Sequence, residues 1–270
     1  MTSFGINRGY SIEDLKTLVP SAFAANPKPK GLSEKYTFVP TDLVIKRIMD
    51  YGFVPVFAKQ SRALSENDGY QKHMIRFSSA KDLNVVQEER FELVMFNSHN
   101  GTFTYRFYGG FFRFVCENGL VVSSGGEIDC VRTKHIGTTT DDVVEASYKV
   151  IEEAPKYIKW AEELKTIELT IPEQGIFAES AYELLDENKK KQIAPDQLLD
   201  VRRHEDVNSD LWTTYNVVQE NMLSGGLVRQ DVEPGRRRAR RTRAVNSIDG
   251  QVRLNVALSK LVDKMRELKS

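Results

Sequence analysis

The chain has 270 residues, 40% of them apolar and 28% charged, which is enough for one large domain or two small ones and allows roughly 70–75% of the unfolded surface to be buried. Lys+Arg and Asp+Glu both number 38, so the mean charge selects no partner. No apolar run approaches the roughly 20 residues of a membrane span. Met1-Thr-Ser-Phe-Gly lacks a signal peptide's basic and apolar regions, so a cytoplasmic protein with no membrane role and two free thiols is expected.

Residues 1–35 read as a loosely ordered arm, because Asn26-Pro27-Lys28-Pro29-Lys30-Gly31 is a cluster of structure breakers. A helix follows, with Thr41 as its expected N-cap, Leu43, Val44, Ile48 and Met49 as its apolar face, and Gly52 at its end. Phe53 to Ala58, Gln71 to Phe77 and Arg90 to Asn97 read as strands. Asn100-Gly101 signals a tight hairpin, since a type I′ turn needs positive φ at both central residues. The next strand alternates Phe103, Tyr105 and Phe107 with Thr104, Arg106 and Tyr108; Gly109-Gly110 is expected to break it before Phe111 to Val115 and Leu120 to Val122.

From Asp141 the apolar spacing becomes helical, with Pro155 expected to kink or split the helix. Ile176 to Lys191, Pro195 to Arg203 and Leu211 to Leu223 read as further helices. On the last helix Leu254, Leu258, Leu261, Met265 and Leu268 are spaced 4, 3, 4, 3, an a/d seam. The expected fold class is α+β. It has a mostly antiparallel sheet of about five or six strands over residues ~53–135, preceded by one helix and followed by a helical C-terminal half. Residues 36–270 are expected as one domain, sheet-rich over 36–140 and helical over 141–270, with a basic loop at 229–243.

The middle of the chain is distinctive. Asn97-Ser98-His99-Asn100-Gly101, an aromatic strand, Gly110-Phe111-Phe112-Arg113 and Cys116-Glu117-Asn118-Gly119-Leu120 resemble the phage- and plasmid-related family catalogued as domain of unknown function 932. Gly52-Phe53, Gln60-Ser61-Arg62, Lys72-His73 and Lys134-His135 are similar to other positions of it. So are Arg202-Arg203-His204-Glu205-Asp206, Leu211-Trp212, Asn216 to Asn221, Gly225-Gly226, Arg243-Ala244 and Asn255. The resemblance spans about residues 32–262. It implies a protein carried by prophages, plasmids or integrative elements, and brings no established catalytic residue. The arginine cluster is denser here than the family pattern leads one to expect.

Several groups are candidates for chemistry. Arg236, Arg237, Arg238, Arg240, Arg241 and Arg243 put six arginines in eight positions; they repel one another, resist burial, and have a polyanion as their natural partner. Tyr105, Arg106 and Arg113 interleave rings and guanidinium groups in a manner suited to single-stranded nucleic acid, the alternative being a sheet with an aromatic core face and a wet basic face. His73, Asn97, His99, Cys116, Asn118, Gly119 and His135 form a motif of unassigned role. The Cys116 turn reads as structural, and a Cys nucleophile would need a histidine brought close by the fold. No closely spaced His or Cys pair suggests zinc, and no phosphate-binding glycine motif is present, so neither metal nor cofactor is expected.

These features lead to the expectation of a nucleic-acid-binding protein of a mobile element, favouring single-stranded DNA, that acts in replication, recombination or repair, with an enzyme whose site lies near Cys116 as the least favoured alternative. The rival is an interaction protein that inhibits a host defence complex. A homo-oligomer through the C-terminal helix is expected, with packing of that helix on the chain's own core as the alternative.

Overall fold

The computed structural model describes residues 9–28, 30–62, 68–83, 89–113, 119–122, 131–230 and 240–270. The chain divides into two compact units, residues 1–115 with 128–155 and residues 116–127 with 156–270, where the sequence alone suggested one domain over 36–270. Each half gathers a core of its own, the first under a sheet and the second around a helix.

The first unit begins inside the expected loose arm. Helix α1 (Ile12–Leu18) starts at a capping box in which the Asp14 amide donates to Ser11 Oγ and the Ser11 amide donates to Asp14 Oδ2. Leu15, Val19 and Ala22, spaced 4 and 3, are fully buried, and their burial orders the arm despite the breakers that follow. Helix α2 (Thr41–Asp50) has Pro40, not Thr41, at its N-cap; Thr41 is the first helical residue. Its buried face is Val44, Ile45 and Ile48 with the Thr41 side chain, while Leu43 faces outward.

Five strands of this unit form one antiparallel sheet: β1 (Phe53–Gln60), β2 (His73–Ser79), β3 (Glu89–Asn97), β4 (Tyr105–Arg113) and, beyond β5 (Gly119–Val122) of the second unit, β6 (Val131–Thr133). The order is β1-β2-β3-β4, with β6 paired to the start of β4. Asn100-Gly101 does not make a two-residue hairpin. Strand pairing stops at Asn97 and resumes at Tyr105, and the intervening loop is closed by the Ser98 hydroxyl on Phe103 and by Asn100 Oδ1 on Thr102. Nor does Gly109-Gly110 end the strand, for both lie within β4. Gly110 is the register partner of Glu92, whose carboxylate is held by Arg76 at 3.1 Å and Arg90 at 2.9 Å.

Register decides which side chains meet. His73 lies opposite Asn97, Ile75 opposite Met95 and Phe77 opposite Leu93, while Met95 lies opposite Phe107. These share one face, which packs on α2 and on α3 (Thr140–Glu152). Helix α3 ends at Glu152 and α4 (Ala154–Lys165) begins at once, so Pro155 falls in a first turn, where its missing N–H costs nothing.

The second unit is built around α7 (Leu211–Ser224), buried on nearly every side. Helices α5 (Ile171–Tyr182), α6 (Glu187–Lys190) and α8 (Ile248–Lys269) complete it with α4. Pro195–Leu199 and His204–Asp206 are 3-10 turns and not the longer helix expected there. On α8, Leu254, Leu258 and Met265 of the seam are buried, together with Val262, and α8 packs on α7 and α5. Much of the apolar stripe is thus used inside the unit; of the five seam residues Leu261 is half-buried and Leu268, at 82%, exposed. Among the described residues no helix is long and apolar enough to cross a membrane.

Candidate functional site

The histidine motif is brought together in the first unit. His73 at the start of β2, Asn97 at the end of β3, His99 just beyond it and His135 after β6 converge on Thr41, the first residue of α2. Asn97 Nδ2 donates to Thr41 Oγ1 at 3.0 Å, and His99 Nε2, His73 Nε2 and Tyr105 Oη lie 3.0, 3.2 and 2.8 Å from the same oxygen. Tyr105 Oη donates to the Val39 carbonyl at 3.0 Å. His135 Nε2 lies 2.9 Å from Asn97 Oδ1, and His73 Nδ1 is 3.2 Å from both Ser21 Oγ and the Gln71 carbonyl.

The donor count selects the tautomers. The Gln71 carbonyl can only accept, so His73 carries its proton on Nδ1 and offers a lone pair at Nε2. His99 then donates from Nε2 to Thr41, which leaves a bare Nδ1; that atom is buried without a hydrogen-bond partner. Asn97 has its amide nitrogen on Thr41, so its Oδ1 faces His135 Nε2, while His135 Nδ1 lies 3.3 Å from the Thr37 carbonyl; a neutral ring donates to one of these two acceptors at a time. Thr41 keeps one proton of its own, shared between His73 Nε2 and the Tyr105 oxygen. Burial drives the histidines to the neutral form: His73 is lowered to about 4, and His99 to about 2 with help from the nearby His73 and His135 rings; His135 is lowered too, again chiefly by desolvation.

Thr41, His73, Asn97 and His99 are wholly buried and Tyr105 is 1% exposed. This cluster therefore ties five segments of the first unit together and presents nothing to a soluble substrate. Among the described residues no set of three His, Cys, Asp or Glu is arranged to hold a metal. Sequence reasoning found the histidines and Asn97 but missed Thr41 and Ser21, whose hydroxyls had no distinguishing pattern. Cys116 and Asn118 lie outside the described residues, and Gly119 is the first residue of β5.

Burial also removes Tyr105 as a stacking platform for bases, and Phe107, Tyr108 and Phe111 are buried with it. Arg106 is half-buried, with its guanidinium 3.9 Å from the centre of the Phe103 ring. The Arg113 side chain lies outside the described residues. The alternative of a wet basic face fails as well, since the opposite face carries the buried Arg76, Arg90, Glu92 and Phe96.

In the second unit, the C-terminal motif residues assemble at the foot of the arginine segment. Arg202 donates from Nε and Nη2 to Asn221 Oδ1 at 2.9 and 2.7 Å, and from Nη2 to the Gly225 carbonyl. Arg203 bridges Glu220 and Asp206, and Gln219 donates to Asn255 at 3.0 Å. Gly225, at φ +65°, ends α7; a Cβ there would lie 2.6 Å from the Arg243 backbone. Residues 226–229 then pair with 240–243. Gly226 N donates to Thr242 O, Thr242 N to Leu227 O, and Arg229 N to Arg240 O at 2.8 Å.

These bonds pair the two segments that flank residues 231–239, which lie outside the described residues. Arg240, Arg241 and Arg243 are exposed, and Arg241 donates to the Gly226 carbonyl at 2.6 Å. Arg236, Arg237 and Arg238 lie outside the described residues.

Comparison with known proteins adds a family and no activity. The family model described as Domain of unknown function (DUF932) matches residues 30–257. The chain is 35% identical over 254 residues to the UPF0380 proteins YfjQ and YafZ of Escherichia coli (strain K12), covering 93% of this chain and 90% of each relative. No solved structure matches.

Proposed function

We propose, from the premise that the chain belongs to the family described as Domain of unknown function (DUF932), that it is a nucleic-acid-binding protein which grips the phosphate backbone with an arginine segment. The observation that carries this reading is the paired stem of 226–229 and 240–243, which holds Arg240, Arg241 and Arg243 at the surface and brackets the segment containing Arg236, Arg237 and Arg238. Exposed guanidinium groups clustered in one segment make an electrostatic footprint for a polyanion. With the β4 rings buried, the stacking argument for single strands falls away, and the reading is of backbone binding to either form. A place in replication, recombination or repair of a mobile element is the biological setting that the family resemblance suggests.

The test is salt-dependent binding of the full chain to a labelled oligonucleotide, both as single strand and as duplex. If all six arginines meet phosphates of a single strand, log K against log[salt] should slope by about −0.7 × 6, or roughly −4. Replacing the six by Ser should flatten the slope and weaken binding to all sequences alike. Unchanged affinity and slope in that variant would refute the proposal.

A further inference from the structure

At the foot of the paired stem lies a groove of about 320 Å³, lined by Asp200, Arg202, Gly226, Leu227, Val228 and Arg241. Two of its residues are guanidinium groups fixed by the protein itself. Arg202 is locked by Asn221 and the Gly225 carbonyl, and Arg241 by the Gly226 carbonyl. Neither locking acceptor is a carboxylate; Arg202 does pair with Glu220, at 3.9 Å from Nη1, but that carboxylate is engaged more closely by Arg203. Gly226, at φ +85°, passes directly beside Arg202; a Cβ there would lie in ordinary contact, 3.6 Å from Nη1. Fixed guanidinium groups lose little freedom on engaging an anion, and their planar forks suit phosphate oxygens.

We infer that this groove seats one phosphodiester of the bound nucleic acid beside the paired stem; the inference rests on the nucleic-acid reading above. The exposed Asp200 is the groove's own anion and opposes the phosphate. This opposition supplies a test in which binding improves. In the full-length protein, Arg241→Gln should weaken oligonucleotide binding roughly three- to tenfold and reduce the single-strand salt slope by about 0.7. Asp200→Asn should strengthen binding by a similar factor.

Trp160 and Trp212 both lie in the second unit, so an unchanged tryptophan emission spectrum shows whether each variant is folded there. A variant whose spectrum changes is replaced by Arg241→Lys or Asp200→Ser at the same position. If Arg236→Ser, Arg237→Ser and Arg238→Ser together weaken binding while Arg241→Gln and Asp200→Asn do nothing, the arginine segment binds and the groove does not, and the inference falls alone. Weakening by Arg241→Gln without strengthening by Asp200→Asn would place Arg241 in the general field of the arginine segment and also overturn it. A wild-type protein that binds no oligonucleotide overturns both readings.

Discussion

The buried histidines should make the first unit acid-sensitive, by an amount that can be worked out. In the unfolded chain each imidazole takes up a proton near pH 6.5; in the folded protein His73 does so only near pH 4 and His99 near pH 2, mainly because burial penalises the cation. Above pH 6.5 neither state holds these protons and stability is unaffected. Below it the unfolded chain binds protons that the folded chain refuses, so stability declines as the pH falls, from 6.5 toward 4 for His73 and toward 2 for His99. At pH 5 each group lies about 1.5 pH units below its unfolded value, which corresponds to about 2 kcal/mol each and about 4 kcal/mol together relative to neutral pH.

That is a large part of the roughly 5–15 kcal/mol typical of a domain. Hydrogen exchange at the amides of Ile75, Phe77, Leu93 and Met95, corrected for intrinsic rate, reads this unit directly. Tryptophan emission does not, because both tryptophans are in the other unit. His99→Gln should remove about half of the pH dependence. Equal protection at pH 7 and pH 5, or the same decline in the His99→Gln variant, would refute the reasoning.

Two further outcomes are expected. Thr41→Val keeps the shape but removes the oxygen on which Asn97, His99, His73 and Tyr105 converge; stranding these buried groups should cost about 3 kcal/mol, seen as lower exchange protection in β2 and β3. Leu258→Ala, at a fully packed position of α8, should destabilise the second unit by about 2–5 kcal/mol in denaturant titrations followed by tryptophan emission, whereas Leu268→Asp, at an exposed position of the same seam, should stay within about 0.5 kcal/mol. A loss of particle mass by light scattering in the folded Leu268→Asp protein would revive assembly through this helix.

The sequence by itself determined the α+β class, the antiparallel strands, the helical C-terminal half and the break at Pro155, because these depend on local periodicity and on what proline permits. It also marked out the arginine segment, since like charges so closely spaced resist burial, and Arg240, Arg241 and Arg243 are exposed. Only the tertiary structure decided what the other candidates do. Tyr105 and Arg106 alternate along β4 in a way that fits either a wet platform or a core, and burial on both faces selected the core. The seam of α8 satisfies a coiled-coil pattern, yet α7 and α5 were there to cover it. His73, Asn97, His99 and His135 are separated by up to 62 positions (135 − 73). Strand register and the entry of α2 placed them around one threonine hydroxyl, a convergence of long-range partners that no local spacing encodes.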